Sequence, residues 1–158
     1  MISIIAAVST NGVIGKRNEL PWYIPEDLRH FKEMTKNKTV LMGKNTYESI
    51  IKRIGKPLPE RKNIVVTKSP HFKPAPGVEV FNSLEDAIAS VKTDEEIMVC
   101  GGGQIFEQLI DRADRLYITE VHQEIEGDVF FPEIDKKTFK EVSSEDHPGF
   151  SFVVYEKT

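Results

Sequence analysis

A second cysteine is missing from this chain. Cys100 stands alone among 158 residues, so no intrachain disulfide can form, which fits a reducing cytoplasm. No apolar run reaches the length that crosses a bilayer. The apolar start, Met1-Ile2-Ser3-Ile4-Ile5-Ala6-Ala7-Val8, lacks a basic lead-in and is too brief for a secretory signal, so it reads as a buried strand. There is no basic excess either. Lys and Arg total 21 against 25 Asp and Glu, a net charge of −4, and they are scattered; a nucleic-acid surface would show a basic face. The histidines His30, His71, His122 and His147 have no metal-ligand spacing with one another or with Cys100, so no metal site is expected. No Gly-x-Ser-x-Gly elbow occurs. Cys100 itself reads as a small buried hydrophobe rather than a nucleophile.

What is present fits one domain, residues 1–158, with enough chain for a real core. Short β-rich runs at Ile2–Val8, Thr39–Met42, Asn63–Thr67, Val78–Phe81, Ile97–Cys100 and Leu116–His122 alternate with helical patterns at Pro25–Thr35, Asn45–Ile51, Leu84–Val91 and Gln104–Ile110. Several strand runs are apolar on both faces, as in a covered parallel sheet. Ser83-Leu84-Glu85-Asp86 resembles a capping box. In the tail, Thr138–Val142 and Ser151–Glu156 read as strands joined through residues 143–150 with a His147-Pro148-Gly149 turn. The expected fold is α/β: a mostly parallel central sheet with an antiparallel C-terminal edge and helices on both faces.

Three features carry candidate chemistry. Pro25 suits the first turn of a helix. At about 100° per residue, Ile24, Leu28, Phe31 and Met34 share one side, and Asp27 falls among them while Glu26 faces away. A carboxylate in an apolar sector needs a donor from the protein or a ligand; the alternative is a charge that serves only the helix end. Gly101-Gly102-Gly103 joins the strand Ile97-Met98-Val99-Cys100 to the next helix. Such a junction exposes N–H groups to which a phosphate can come close, or is simply a tight turn. It is neither a P-loop nor the usual dinucleotide fingerprint, since Phe106 stands where the third glycine would be. Lys44 and Lys68 each follow a strand end, where α/β sheets bind ligands. They suit an additional phosphate, or are solvated lysines. Trp22 alone fits core or rim packing.

Several segments then converge: Ile4-Ile5-Ala6-Ala7, Asn11-Gly12-Val13-Ile14-Gly15, Leu20-Pro21-Trp22, Pro25-x-Asp27-Leu28-x-x-Phe31-Lys32, Met42-Gly43-x-x-Thr46-Tyr47-Glu48-Ser49-Ile50, Pro57-Leu58-Pro59-x-Arg61-Lys62-Asn63, Gly101-Gly102-Gly103 and Glu126-Gly127-Asp128-x-x-Phe131-Pro132. In their order and spacing they resemble bacterial dihydrofolate reductase over nearly the whole chain. The resemblance implies NADPH-dependent reduction of 7,8-dihydrofolate to tetrahydrofolate, for one-carbon metabolism, by a cytoplasmic monomer that binds antifolates. It implies that Asp27 accepts from the pterin 2-amino group and N3, with Thr119 orienting it. Water near Leu20 and Trp22 would protonate N5. Ile5, Ala6, Ala7, Leu28, Phe31, Ile50, Leu58 and Cys100 would wall the substrate pocket, and Arg61 would pair with the α-carboxylate of the glutamate tail.

For the cofactor, the resemblance implies that Ala7, Ile14, Gly15, Leu20 and Cys100 border the nicotinamide. Thr46 and the turn of Gly101, Gly102, Gly103 and Gln104 would cradle the pyrophosphate, and Gly43, Ile105, Phe106 and Gln108 would also contact the cofactor, Phe106 lacking a hydroxyl near the nicotinamide. Lys44, Asn45, Val66, Thr67 and Lys68 would surround the adenosine phosphate and ribose. A cis peptide is expected between Gly101 and Gly102. The chain also departs from the family. Phe106 replaces a tyrosine, Gln104 a frequent arginine and Cys100 a bulkier aliphatic, and the final hairpin is shorter than in some relatives. Ile51-Lys52-Arg53-Ile54 reads as an extra turn before Gly55-Lys56-Pro57, which leaves Ile50 and Ile54 as alternatives for the pocket wall. A related NADPH reductase acting on another pterin or an aminopyrimidine is the second reading, and a non-catalytic nucleotide-binding module the third.

Overall fold

Six short runs form the parallel part of an eight-stranded sheet. The computed structural model describes residues 1–16 and 21–158, so the expectations for Leu20 lie outside the described residues. In chain order the elements are β1 (Ile2–Ser9), β2 (Val13–Gly15), α1 (Pro25–Thr35), β3 (Thr39–Gly43), α2 (Lys44–Ile54), β4 (Lys62–Val66), β5 (Glu79–Phe81), α3 (Leu84–Ala89), β6 (Ile97–Gly101), α4 (Gly103–Leu109), a 3-10 turn (Ile110–Arg112), β7 (Arg115–Val121), β8 (Val129–Phe130), β9 (Phe139–His147) and β10 (Phe150–Lys157). The sheet order is β5-β4-β3-β6-β1-β7-β10-β9. The first six strands pair in parallel, and β10 and β9 close the edge antiparallel. This is the expected α/β fold.

The central strands are apolar on both faces because helices cover both. On one face, Ile4, Leu41, Ile64, Val99 and Ile118 pack with Ala87 and Val91 and with Ile105, Phe106 and Leu109 of α4. On the other, Ile5, Val40, Met42, Val65, Met98 and Tyr117 pack with Tyr47, Ile50 and Ile51 of α2 and Phe31 and Met34 of α1. Successive strand residues point to opposite faces, so β1 sends Ile4 one way and Ile5 the other. That alternation places Ala7 and Thr119, which pair across β1 and β7, on the α1 side.

Local rules explain most boundaries. α1 runs from Pro25 to Thr35, with proline at its first turn. Ser83 caps α3 by accepting from the Asp86 N–H at 3.1 Å. α2 continues one turn past the expected Ile51 and stops at Gly55, whose φ of 76° lets its N–H reach the Ile51 carbonyl at 2.7 Å. The reading of residues 143–150 as a connection is corrected. β9 runs through to His147, and only Pro148 and Gly149 turn the chain before β10. Ser143–Asp146 are exposed on an edge strand, and an edge strand with solvent beside it shows no apolar alternation. The small antiparallel pair β2–β8 was not expected. It ties Gly12 and Gly15 to Phe131 and Asp128 through backbone bonds of 2.8 and 3.1 Å, so two motifs far apart in sequence meet.

Candidate active site

Asp27 lies where the helical spacing put it, half-buried on the inner face of α1. The Thr119 hydroxyl, from β7, donates to its Oδ1 at 2.5 Å. Burial pushes the Asp27 carboxyl above its ordinary value of 3.8, opposed by that hydrogen bond and by the charge of His30. Among the described residues this is one donor on one oxygen, too little for a carboxylate, which has about four acceptor sites. The helix-end alternative is therefore insufficient: the acid faces a cleft, and Thr119 meets it from across the sheet.

That cleft, about 370 Å³, is lined by Trp22, Tyr23, Ile24, Asp27, Leu28, Ser49, Lys52 and Arg53. It runs between the start of α1 and the outer half of α2, and its volume suits a small planar ligand. Trp22 is on the rim, as an isolated tryptophan suggests, yet its Nε1 is buried and finds no hydrogen-bond partner among the described residues. Of the wall residues, Ile5, Phe31, Ile50, Leu58 and Cys100 belong to one apolar cluster on the α1–α2 face. Leu28 joins them at the cleft. Ala6 points to the opposite core, whereas Ala7 pairs with Thr119. Of the two isoleucines that the extra turn of α2 leaves open, Ile54 is exposed and Ile50 packs inward. Burial pushes the Cys100 thiol up to about 12, with the Arg61 charge opposing only in part, so it is no thiolate nucleophile.

Arg61 is half-buried, and its Nε donates to the Pro59 carbonyl at 3.0 Å. Burial draws its guanidinium below the ordinary value of 12.5, while Cys100 and Glu60 act in the other direction. It does not line the cleft around Asp27. The segment 57–63 is fixed by Asn63, whose amide bridges the backbone of Leu58 and Arg61.

The glycine junction meets α2. The Gly101–Gly102 peptide is cis, as expected, and Gly101 has φ 137°. A Cβ on Gly101 would sit 3.0 Å from the Thr46 hydroxyl, and one on Gly103 would sit 2.8 Å from Val129. Gly43, Thr46, Gly101, Gly102 and Ile105 are therefore close together at the carboxyl ends of β3 and β6. Gly102 precedes α4 with no side-chain cap, and the first N–H groups of a helix have no intrahelical partners. Gln104 and Gln108 are exposed, whereas Ile105 and Phe106 are buried, the latter 5.1 Å from the Phe131 ring. Ile14 is half-buried and Gly15 buried in β2.

Near the strand-end lysines, Lys44 opens α2 and pairs with Glu48 at 3.7 Å. It borders a second cleft of about 780 Å³ that also includes Lys56, Ser69, His71 and Lys73. Asn45 and Lys68 are exposed, Val66 is half-buried, and the Thr67 hydroxyl accepts from the Ser69 N–H at 3.2 Å. Sequence reading missed Tyr23, Ile24, Ser49, Lys52 and Arg53 as cleft residues. The signal was available for two of them: Ser49 and Arg53 follow Thr46 at i+3 and i+7, on one helix face.

The carboxyl ends of β1, β3, β6 and β7 thus bring an acid facing an apolar cleft beside an open strand–helix junction, the layout of a ligand-binding α/β enzyme with a phosphate-bearing cofactor. Comparison with protein families matches residues 1–157 to dihydrofolate reductase. The chain is 45% identical to dihydrofolate reductase from Bacillus subtilis over 99% of this chain and 95% of that protein. It is 45% identical to dihydrofolate reductase type 3 from Salmonella typhimurium, over 94% of this chain and 89% of that one. A dihydrofolate reductase from Enterococcus faecalis, solved in complex with NADP(H) and RAB-propyl, superposes with a TM-score of 0.88 at 36% identity, covering 100% of this chain and 96% of the other. The chain belongs to the dihydrofolate reductase family. It is an NADPH-dependent oxidoreductase that reduces 7,8-dihydrofolate to tetrahydrofolate.

Proposed function

We propose that residues 1–158 act as one catalytic domain in which Asp27 binds and polarises the pterin. The observation that carries this reading is the half-buried carboxylate with one donor among the described residues, Thr119 Oγ1 at 2.5 Å. A pterin supplies the two missing donors side by side, its 2-amino group and N3–H, in a geometry that a carboxylate accepts well. Thr119 fixes the carboxylate plane. Leu28, Phe31, Ile50 and Leu58 hold the rings and exclude water. Water beside Trp22 delivers the proton to N5. Arg61, steadied by the Pro59 carbonyl, receives the α-carboxylate of the glutamate tail.

The residues present fit the cofactor. The absence of a Cβ at Gly101 and Gly102 lets the Thr46 hydroxyl come close to the junction, and Gly102 leads into the start of α4, which has no side-chain cap. Thr46 and the Gly101–Gln104 turn would hold the pyrophosphate, Ala7, Ile14 and Gly15 would border the nicotinamide, and Lys44, Asn45, Thr67 and Lys68 would surround the adenosine 2′-phosphate. When bound, NADPH supplies the hydride that reduces pterin C6. We also assign the protein to the cytoplasm as a monomer, a reading supported by its single, largely enclosed thiol. Among the described residues no helix is long and apolar enough to cross a membrane.

NADPH oxidation followed optically tests the substrate assignment. Turnover with dihydrofolate and little with tailless or non-folate pterins is the expected result. Faster turnover with another pterin or an aminopyrimidine would overturn it.

A further inference from the structure

The second cleft separates α2 from the loop that follows β4. Lys44, Glu48 and Ile51 line its helix side, and Ser69, Phe72 and Ala75 its loop side. A loop that stands off its helix across about 780 Å³ packs little apolar surface beneath it and opens at low cost. Tyr47 crosses that gap. Its ring belongs to the buried cluster on the α1–α2 face, so the side chain is anchored in the core. Its hydroxyl accepts from the Ala75 N–H at 3.0 Å. Its ring meets Phe72 edge-on, with centroids 5.4 Å apart and planes at 83°. From these two contacts a chain of hydrogen bonds runs back to the start of the loop. The Phe72 N–H donates to the Ser69 carbonyl at 3.5 Å, the Ser69 N–H to the Thr67 hydroxyl at 3.2 Å, and the Thr67 N–H to the Phe81 carbonyl at 2.9 Å. Lys68 lies inside that chain, between Thr67 and Ser69. Lys44 lies one helical turn before Tyr47 on α2.

We propose that Tyr47 is a positioning residue for cofactor selectivity: by clasping Ala75 and Phe72 it holds the loop that carries Lys68 against the helix that carries Lys44, and so sets the preference for NADPH over NADH. This rests on the assignment of Lys44 and Lys68 to the adenosine 2′-phosphate above. Two cations on separate elements serve one phosphate when the elements keep a fixed spacing. Without a tie, the loop spends part of its time elsewhere, and affinity drops by the fraction of molecules held ready. NADH lacks the 2′-phosphate and gains nothing from the spacing. Thr46, the neighbour of Tyr47, is assigned to the pyrophosphate, which both cofactors carry. A disturbance that reached the site through Thr46 would therefore weaken NADPH and NADH alike.

Tyr47→Phe tests the proposal, since it keeps the ring against Phe72 and removes the acceptor for Ala75. The ratio of kcat/KM for NADPH to that for NADH should drop about three- to tenfold, the range that the net contribution of one hydrogen bond spans. Binding of 2′-AMP to the ligand-free protein, measured by calorimetry, should weaken by a similar factor. Equal losses with both dinucleotides, or unmoved 2′-AMP binding, overturn the proposal. Lys68→Met separates it from the assignment on which it rests. If that variant keeps the wild-type ratio, Lys68 is not at the phosphate, and the proposal is overturned together with the assignment. If it lowers the ratio, the double variant decides how Tyr47 acts. A positioning residue loses its effect once the group it positions is gone, so the double variant should match Lys68→Met. Additive losses would overturn the proposal while leaving Lys68 at the phosphate.

Discussion

Two carboxylates near opposite ends of β1 behave in opposite ways. Ser3 and Ala7 share one face of that strand, roughly 13 Å apart at about 3.3 Å per residue. Near Ser3, Glu96 receives the Ser3 hydroxyl at 2.5 Å and the Lys38 ammonium at 2.6 Å. Burial pushes Glu96 up, but the Lys38 and Ser3 hydrogen bonds outweigh it and hold the carboxyl below its ordinary 4.5. Beyond Ala7, Thr119 is the one hydrogen-bond donor to Asp27 among the described residues, and burial prevails over it and the His30 charge. At the amino ends of the parallel strands a carboxylate has both oxygens met by the protein. At the carboxyl ends one is left short of donors among the described residues, and the proposed function assigns that shortage to recognition of a ligand with paired N–H groups. A binding site of this kind costs the empty fold stability, whereas the paired acid at the other end contributes to it.

The largest expected effect separates the two acids by function. Asp27→Asn keeps the shape and reverses half of the acceptor pattern. Turnover at neutral pH should drop on the order of 10²–10³-fold, the range for a lost acid–base group. It should recover in part at low pH, where the substrate arrives already protonated. Steady-state kinetics from pH 5 to 9 measure this, and an unchanged neutral rate would remove Asp27 from the site. Arg61→Leu comes next. Loss of a charge-assisted bidentate contact should raise KM for glutamate-bearing substrates by about 10–100-fold and leave tailless pterins unaffected. Equal losses on both would make Arg61 a structural residue of the 57–63 segment.

How much of this contrast was legible beforehand differs between the ends. The inward face of Asp27 followed from helical spacing after Pro25, and α1 occupies the residues assigned to it. The strand–glycine–helix junction was equally local. Thr119 was a different matter: its approach to Asp27 depends on β7 lying beside β1, and only the family resemblance supplied it. The Ser3–Glu96–Lys38 cluster was invisible, because three strand-end residues far apart in sequence meet only once the sheet order is known. The same holds for His30, whose partner Phe152 comes from the last strand. Polar Ser143–Asp146 concealed the length of β9, since an edge strand shows solvent rather than a core pattern. Ile50 and Ile54 were separable only by the added helical turn, which carries Ile54 into solvent.

Smaller effects sharpen the contrast through stability. Glu96 has a depressed carboxyl, so it stabilises the fold above its unfolded value and that contribution is lost as the pH drops through the folded one. Glu96→Gln should lower stability at pH 7 by about 0.5–1 kcal/mol, reduced from a fully buried pair because the group is partly exposed. The difference should vanish in strong acid, and chemical denaturation at several pH values would show it. Asp27 runs the other way. Its folded value is raised, so ionising it as the pH climbs weakens the ligand-free fold. Asp27→Asn should therefore raise Tm slightly at pH 7, within the ~2–4 °C that about 1 kcal/mol yields in a domain of this size. A lower Tm would mean that Thr119 and His30 together outweigh burial.

The most direct experiment is a titration of the Asp27 carboxyl carbon by NMR, in the ligand-free protein and with a diaminopyrimidine antifolate bound. The ligand-free carboxyl should titrate above 3.8, and should drop well below its free position once paired N–H donors occupy the cleft. A carboxyl that titrates at or below 3.8 without ligand and does not respond to the antifolate would contradict the assignment of Asp27 as an acid held short of donors.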